Sequence, residues 1–520
     1  MSGHLPDRRR VLAALAALGC TAAVPQRLAR AGEARLQEDP FLLGVASGAP
    51  TSSSVVLWTR LAPQPLVPGA GMPPRDVIVH WELAADERMS QVIARGSERT
   101  GPAWSHSVHA EVRGLKPARD YWYRFTAGGH QSPVGHTRTL PAEGLAADRI
   151  NFAVVCCQNY EQGHYAAYGH IARDAPDLVL HLGDYIYEYG ISRTAVRQHN
   201  SPEIRTLDDY RARYALYHTD PQLQAAHAAA PWLVTWDDHE VENDYAGTTS
   251  LDEDVDPAVF LARRTAAYRA YYENLPLPPA AAPRGTTMTI YNRRRWGSLA
   301  SFHVLDQRQY RSPKACMKDY PPDEPPALLN CDAMYASSRT MLGTVQERWL
   351  DRSLATAGTR WNILVQGTMV SAVDEQPGPP RRYSNDNWGS YRAARDRLVA
   401  SLQASGATNP VILTGDVHAF VVGHVTQAAE DPTSRPVAPE FVATSVTSNS
   451  RPQRLMDQWL RDNPNLRFGA GETRGYLQCA LSPDALQVDL VAIDDVKDPQ
   501  SGRHRLKRYT VEAGSPALLD

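Results

Sequence analysis

The sequence predicts an α/β domain preceded by a small all-β domain, because its pattern changes once along the chain. From residue 41 to 141, short alternating runs of apolar and polar residues are separated by Gly and Pro, which is typical of a β-sandwich. From about residue 149, continuous Val, Ile and Leu runs alternate with helical segments, which is typical of strands covered on both faces. With 520 residues, the chain is long enough for both units.

Residues 1–31 are predicted to be an export signal rather than part of the fold. Arg8-Arg9-Arg10 precedes an Ala-rich apolar run from 11 to 24, and Ala29-Arg30-Ala31 is typical of a cleavage site. Arginines in this position resemble a twin-arginine signal, which predicts the twin-arginine translocase as a partner and a periplasmic or extracellular location. A Sec signal, or a lipoprotein signal at Cys20, is the alternative. The twin-arginine route carries folded cargo, so the signal also suggests a bound cofactor.

The two predicted domains follow this signal. Residues 38–142 are predicted to form the all-β sandwich, with an immunoglobulin-like or fibronectin-like layout. Its predicted strands are Ser54–Thr59, Val77–Trp81, His106–Val112 and Tyr121–Phe125. The α/β domain is predicted over residues 149–495, and residues 496–520 are predicted to be a C-terminal strand or tail. The α/β strands are Phe152–Cys157, Leu178–Leu182, Trp232–Trp236, Trp361–Val365, Val411–Thr414 and Phe441–Ser445, with helices over 254–272 and 391–404 among them.

Composition excludes several classes of protein. With 54 Lys and Arg against 57 Asp and Glu, the chain has no charge excess that predicts a nucleic-acid-binding surface. After the signal, no apolar stretch is long enough to predict a stable membrane span. Six cysteines are too few for a disulfide scaffold, but Cys316 and Cys331 bracket a Pro-rich loop and are a candidate disulfide in an exported protein.

Side chains that can bind metal ions follow five of the predicted strands. Ligand sites gather at the carboxyl ends of strands in open α/β sheets, so we expect these side chains to converge. Thiolate and phenolate groups suit trivalent iron, whereas carboxylate and amide oxygens suit calcium or magnesium. In chain order the candidates are Cys157, Asp184 with Tyr187, Asp238 with Asn243, Gln366, and Asp416 with His418.

Three residues are predicted to have specific roles in phosphoryl chemistry. Asp184 lies between the two kinds of donor and is the expected bridging carboxylate. His239, next to Asp238, is expected to bind phosphate and protonate a leaving oxygen. Arg308, with Arg311, is a candidate phosphate clamp, because guanidinium groups match phosphate oxygens; a structural ion pair is the alternative.

Three motifs beginning at Gly183, Asp237 and Gly415 read Gly-Asp-Tyr-x-Tyr, Asp-Asp-His-Glu and Gly-Asp-x-His. In this order they resemble the calcineurin-like metallophosphoesterases, and more specifically the PhoD-type alkaline phosphatase/phosphodiesterase family. The resemblance extends over nearly all of the chain after the signal. It implies a β-sandwich flanked by helices, preceded by the small all-β domain.

The resemblance also implies a secreted, metal-dependent alkaline phosphatase. A hydroxide or oxide held by metal ions would attack the phosphorus of phosphate monoesters and diesters, with Asp184, His239 and Arg308 as catalytic residues. By position, the residues implied to hold Fe(III) are Cys157, Asp184, Tyr187 and His418. Those implied to hold Ca(II) are Asp184, Asp238, Asn243 and Asp416, with Gln366 as a further ligand that the motif leaves open.

Two alternatives stay open at this point. One is a phospholipase D-like phosphodiesterase of the same family. The other is a binding protein, in which the N-terminal sandwich recognises a cell-wall or polyanionic partner and the metal domain is degenerate.

The sequence departs from the family's pattern at Gly389, where an acidic residue is more usual. If that acid normally lines the site, its loss affects substrate preference or one calcium contact.

Overall fold

The computed structural model of the protein describes residues 35–317, 328–376 and 378–520, with 328 and 329 described by their backbone alone. The predicted export signal, residues 1–31, lies outside the described residues. Within this part of the chain the helices are α1 (Ala166–Asp174), α2 (Leu207–His218), α3 (Pro221–Ala229), α4 (Pro257–Asn274), α5 (Gly343–Ala355), α6 (Arg392–Ala404) and α7 (Gln453–Asp462).

The strands belong to two large sheets and two smaller ones within the described residues. They are β1 (Val45–Gly48), β2 (Ser54–Arg60), β3 (Val77–Ala84), β4 (Val92–Thr100), β5 (Ser107–Arg113), β6 (Asp120–Ala127), β7 (His130–Gln131), β8 (Gly135–Arg138), β9 (Ile150–Val155), β10 (Leu178–His181), β11 (Pro231–Val234), β12 (Asn292–Trp296), β13 (Ala300–Val304), β14 (Leu328–Leu329), β15 (Trp361–Val365), β16 (Tyr383–Ser384), β17 (Pro410–Thr414), β18 (Phe420–Thr426), β19 (Pro436–Val442), β20 (Leu466–Ala470), β21 (Arg474–Leu481), β22 (Ala485–Ile493) and β23 (Arg503–Glu512).

The two large sheets pack against each other and carry helices on their outer faces. The first has the strand order β23-β22-β21-β9-β10-β11-β1-β2-β5 and the second β12-β13-β15-β17-β19-β18-β20. Phe152 and Leu180 of the first sheet share one apolar core with Ile363 and Leu413 of the second. Helices α1 to α4 pack on the first sheet, and α5 and α6 pack on the second. This is the predicted β-sandwich flanked by helices.

The two helices predicted from the sequence form at nearly the expected bounds. α4 begins at Pro257, whose missing N–H costs nothing in the first turn of a helix. The Asp256 side chain accepts a hydrogen bond from the N–H of Ala258 and so caps the helix. α6, predicted over 391–404, begins at Arg392.

The N-terminal segment is less separate than the sequence predicts. Its strands β1, β2 and β5 complete the first large sheet, and β1 pairs in parallel with β11 through Ser47 and Gly48. Strands β3, β4 and β6 to β8 form their own sheet, which packs on β2 and β5 around Leu57, Val79 and Tyr123. The predicted sandwich therefore shares one sheet with the α/β unit, and β23 of the predicted C-terminal tail forms the opposite edge of that sheet.

Cysteine pairing follows the sequence interpretation. Cys316 and Cys331 form a disulfide with their Cα atoms 6.8 Å apart. Cys156, Cys157 and Cys479 are buried free thiols. Among the described helices, none combines the length and apolar character needed to cross a membrane.

Candidate metal centre

The candidate site lies where strands of the two large sheets end at one edge of the sandwich. Strands β9, β10 and β11 are parallel neighbours in the first sheet, as β15 and β17 are in the second, so their carboxyl ends point the same way. The backbone φ angles of Cys157, Asp184, Asp416 and His418, in the loops after β9, β10 and β17, lie between 56° and 62°. This left-handed conformation costs a non-glycine residue of order 1 kcal/mol, so the surrounding structure must hold these loops in place.

Three overlapping groups of side chains converge there among the described residues, each with its ligand atoms within 4.8 Å of one another. Asp184 belongs to two of the groups and Asp238 to two, so each can bridge neighbouring positions. The groups are Cys157 with Asp184 and His418, Asp184 with Asp238 and His239, and Asp237 with Asp238 and Asp416.

The first group includes Tyr187 as a further neighbour. The Tyr187 hydroxyl donates to Asp184 Oδ2 at 2.9 Å and lies 3.2 Å from His418 Nε2. His418 Nδ1 lies 3.0 Å from the carbonyl oxygen of Asn449, which leaves Nε2 for a metal ion. Burial raises the pKa of the Cys157 thiol and of the Tyr187 phenol, so both are neutral until a cation displaces their protons.

The second group places a charged imidazole beside Asp184 and Asp238. His239 Nδ1 lies 2.7 Å from Glu188 Oε2, and its ring lies 4.1 Å from the ring of Tyr187. Burial lowers the pKa of His239, but the negative charges of Glu188, Asp238 and Asp184 raise it well above its usual value. Without bound cations these charges favour the imidazolium form of His239, and the contact of Nδ1 with Glu188 leaves Nε2 for another group. Glu188 had no predicted role, because nothing in the sequence shows which way its side chain points.

The third group surrounds Arg308, which is fully buried. Its Nε donates to Asp237, and one terminal nitrogen lies 2.8 Å from Asp386 Oδ2. The other terminal nitrogen lies 3.4 Å from Asp238 Oδ1 and 3.8 Å from Asp416 Oδ1. This geometry does not favour the predicted phosphate clamp, because carboxylates surround the guanidinium and the Arg308 side chain is 0% exposed. The structural ion pair, which the sequence left as the alternative, fits these contacts. Asp386 had no predicted role, because the sequence does not show that its side chain faces Arg308.

The carboxylates of these groups fit bound cations. Buried oxygens of three of them lack a hydrogen-bond donor, namely Asp184 Oδ1, Asp237 Oδ2 and Asp238 Oδ1. Burial raises the pKa of Asp237 well above its usual value; repulsion from Asp238 and Asp416 adds to this, against the opposing charge of Arg308. A bound cation would remove both penalties, because it replaces the missing hydrogen bonds and neutralises the repulsion.

The two amide candidates differ in how they are placed. Asn243 Oδ1 accepts a hydrogen bond of 3.0 Å from the hydroxyl of Tyr189 at the rim of the site. Gln366 Oε1 accepts a hydrogen bond of 2.9 Å from Nε1 of the buried Trp388. In both side chains the oxygen that a metal ion would use already accepts a hydrogen bond, but the donor Tyr189 is half-exposed, whereas the donor Trp388 is buried. Gly389 is buried, and a Cβ there would lie 2.7 Å from Asn387 Oδ1, so this loop has no room for the more usual acid without rearrangement.

Glu240, the last residue of the second motif, ties two of the ligand loops together. Its Oε2 accepts hydrogen bonds from the backbone N–H of Asp184 at 3.1 Å and of Asp237 at 2.9 Å. Its Oε1 accepts one from the N–H of Tyr185 at 2.7 Å. The motif contained this residue, but a sequence cannot show that its carboxylate bonds backbone amides rather than a metal ion.

Replacing Glu240 with Gln is expected to weaken metal binding about 10- to 100-fold, the usual effect of losing a group that orients ligands. The amide NH₂ would face at least one of the backbone N–H groups that now donate to the carboxylate, and two donors cannot form a hydrogen bond with each other. The measurement is a calcium titration monitored by isothermal titration calorimetry. Glu440→Gln is the matched control, because Glu440 is also buried and accepts from the N–H groups of Val370 and Ser371. Equal calcium affinities in wild type and E240Q would contradict this role.

Comparison with known proteins identifies the family. Residues 152–490 match the family model described as PhoD-like phosphatase, and residues 26–141 match that of its N-terminal domain. The chain belongs to the PhoD-like phosphatase family. The predicted family is therefore confirmed, and so is the prediction that the chain is a phosphatase.

Two relatives of this PhoD-like phosphatase extend over nearly all of the chain. Alkaline phosphatase D of Bacillus subtilis (strain 168) is 45% identical over 498 residues, which is 91% of this chain and 84% of the relative. A solved structure described as the structure of PhoD has a TM-score of 0.87 at 41% identity, and covers 93% of this chain and 94% of its own. The α/β fold with its N-terminal β domain is confirmed. The comparisons favour neither the phospholipase D-like alternative nor a binding protein.

Proposed function

We propose that this PhoD-like phosphatase is an exported alkaline phosphatase that hydrolyses phosphate monoesters and diesters with Fe(III) and Ca(II). The observation that carries the proposal is the change of donor type across one continuous group of side chains. Cys157, Tyr187 and His418 lie with Asp184, whereas the group of Asp237, Asp238 and Asp416 offers oxygen donors alone. His239 shares a third group with Asp184 and Asp238. The proposed iron ligands are Cys157, Asp184, Tyr187 and His418; the proposed calcium ligands are Asp184, Asp238, Asn243 and Asp416.

When bound, such cations polarise the phosphoryl oxygens and supply a nucleophile at moderate pH. The chain's own residues do the rest. Asp184, shared by two of the groups, would hold both cations. His239 donates its Nε2 proton to the leaving oxygen, while Glu188 holds the imidazole through Nδ1 and stabilises its charge. The Ser448 hydroxyl donates to the Tyr187 oxygen at 2.7 Å, which stabilises the phenolate form.

Two features support export. The paired arginines before the apolar N-terminal run are typical of a twin-arginine signal. The Cys316–Cys331 disulfide forms and persists in oxidising compartments, which include the periplasm and the extracellular space. Both features favour a protein that acts outside the cytoplasm.

The test combines metal analysis with turnover of defined esters. We expect the purified protein to contain iron and calcium and to show a visible absorption band from phenolate-to-iron charge transfer. It should hydrolyse p-nitrophenyl phosphate and bis-p-nitrophenyl phosphate, and lose this activity when calcium is chelated. A colourless protein containing zinc or manganese would contradict the iron proposal. Faster turnover of a phosphatidylcholine than of either nitrophenyl ester would instead favour the phospholipase alternative.

A further inference from the structure

Tyr189 differs from the two tyrosines that precede it in the same loop. Tyr185 and Tyr187 are 0% and 2% exposed, whereas Tyr189 is 45% exposed. Ile191, two residues further on, is 53% exposed. A large aromatic ring is therefore exposed directly beside the proposed metal centre, with its hydroxyl on Asn243.

The Tyr189 ring is held in a defined position by both ends of the residue. Its hydroxyl donates to Asn243 Oδ1 at 3.0 Å. Its carbonyl oxygen accepts from the Arg213 guanidinium at 2.8 Å and lies 3.0 Å from His199 Nδ1. The exposed ring is thus fixed before any ligand arrives, which lowers the entropy cost of using it as a contact surface.

The Tyr189 ring lies near the expected position of the alcohol portion of the ester. Its centroid lies 5.2 Å from that of the His239 imidazole, the proposed proton donor to the leaving oxygen. The leaving oxygen must lie within hydrogen-bond reach, about 3 Å, of His239 Nε2. A carbon group attached to that oxygen then comes within reach of the exposed Tyr189 ring.

We infer that Tyr189 is a specificity-determining residue whose ring contacts the alcohol portion of the ester and favours alcohols that carry a flat aromatic group. The inference rests on the proposed phosphatase function and specifies its substrate class. Aromatic pairs prefer offset-stacked or edge-to-face arrangements, and a half-exposed ring permits both. An aliphatic alcohol of two carbons is too short to cover the ring and gains little from it.

The test compares benzyl phosphate with ethyl phosphate, because their leaving alcohols have similar acidity and differ mainly in the aromatic ring. The readout is the ratio of kcat/KM for the two esters. Tyr189→Phe and Tyr189→Ala both remove the hydrogen bond to Asn243, so any difference between them isolates the ring. We expect Y189F to keep the wild-type ratio and Y189A to lower it about ten-fold, the size of a good aromatic contact. Tyr335→Ala is a matched control, because Tyr335 is 44% exposed and its hydroxyl bonds Glu430 away from the centre.

Several outcomes would overturn the inference. The same ratio in Y189A as in Y189F would show that the ring makes no contact with the alcohol, and so would an equal fall in Y335A. If Y189A fails to fold, competitive inhibition of wild type and Tyr189→Leu by benzylphosphonate and ethylphosphonate replaces it, and equal selectivity in both proteins overturns the inference. If wild type hydrolyses neither ester, the proposed function itself fails and the inference fails with it.

Discussion

Asp184→Asn is expected to lower kcat/KM for p-nitrophenyl phosphate about 1,000-fold or more and to reduce the content of the proposed iron and calcium. Asp184 is shared by two of the three ligand groups, and its Oδ1 is buried with no hydrogen-bond donor. An amide in its place carries no charge to offset two cations, and catalysis that depends on such electrostatic stabilisation is lost with them. Steady-state kinetics together with elemental analysis per chain measures both effects.

The control for this variant is Asp174→Asn. Asp174 pairs with Arg503 at the end of α1, away from the ligand groups. Wild-type metal content and kcat/KM are expected there. Retention of both metals and full activity in D184N would exclude the proposed bridging role.

Arg308→Met is expected to lower the free energy of unfolding by about 3–5 kcal/mol, the cost of removing one partner from a buried ion pair. The Arg308 charge lies among Asp237, Asp238, Asp386 and Asp416, and its own side chain is fully buried. Without the guanidinium, these carboxylates are left with fewer hydrogen bonds and uncompensated repulsion. Urea denaturation in the presence of a metal chelator, monitored by tryptophan fluorescence, measures the change without the compensating charge of bound cations.

Two further variants separate charge from geometry. Arg308→Lys keeps the charge but has no planar fork to reach several carboxylates, so an intermediate loss of stability is expected. Arg395→Met removes an equally buried arginine whose nitrogens donate to the carbonyl oxygens of Val370 and Thr426, and about 1–3 kcal/mol is expected for it. If R308M is no less stable than wild type, the interpretation of Arg308 as the internal counter-ion is wrong.

Much of the candidate site could be predicted from the sequence because ligand residues follow strands directly. A continuous apolar run shows where a buried strand ends, and parallel strands bring their ends to one edge. This is why Cys157, Asp184, Asp238, Asp416 and His418, which are far apart in the chain, could be expected to meet, as they do in the structure.

The contacts around these residues could not be predicted in the same way. Glu240 and Glu188 lie within the motif-bearing segments, but a carboxylate at a given position can bind a metal ion, a backbone amide or an imidazole. Arg308 could equally have faced a substrate or a set of carboxylates. Each choice depends on where the side chain points relative to elements distant in sequence, and local spacing carries no information about that.

The change from an all-β to an α/β pattern, the ligand residues that follow the strands and the family could be predicted from the sequence alone, since apolar periodicity and motifs are local properties. The tertiary structure decided that β1, β2 and β5 join the sheet of the α/β unit, that Arg308 is enclosed by carboxylates, and that Tyr189 stays exposed while Tyr187 is buried. The physical reason is that pairing between distant strands, and the burial of a charge or a ring, depend on which surfaces meet after folding.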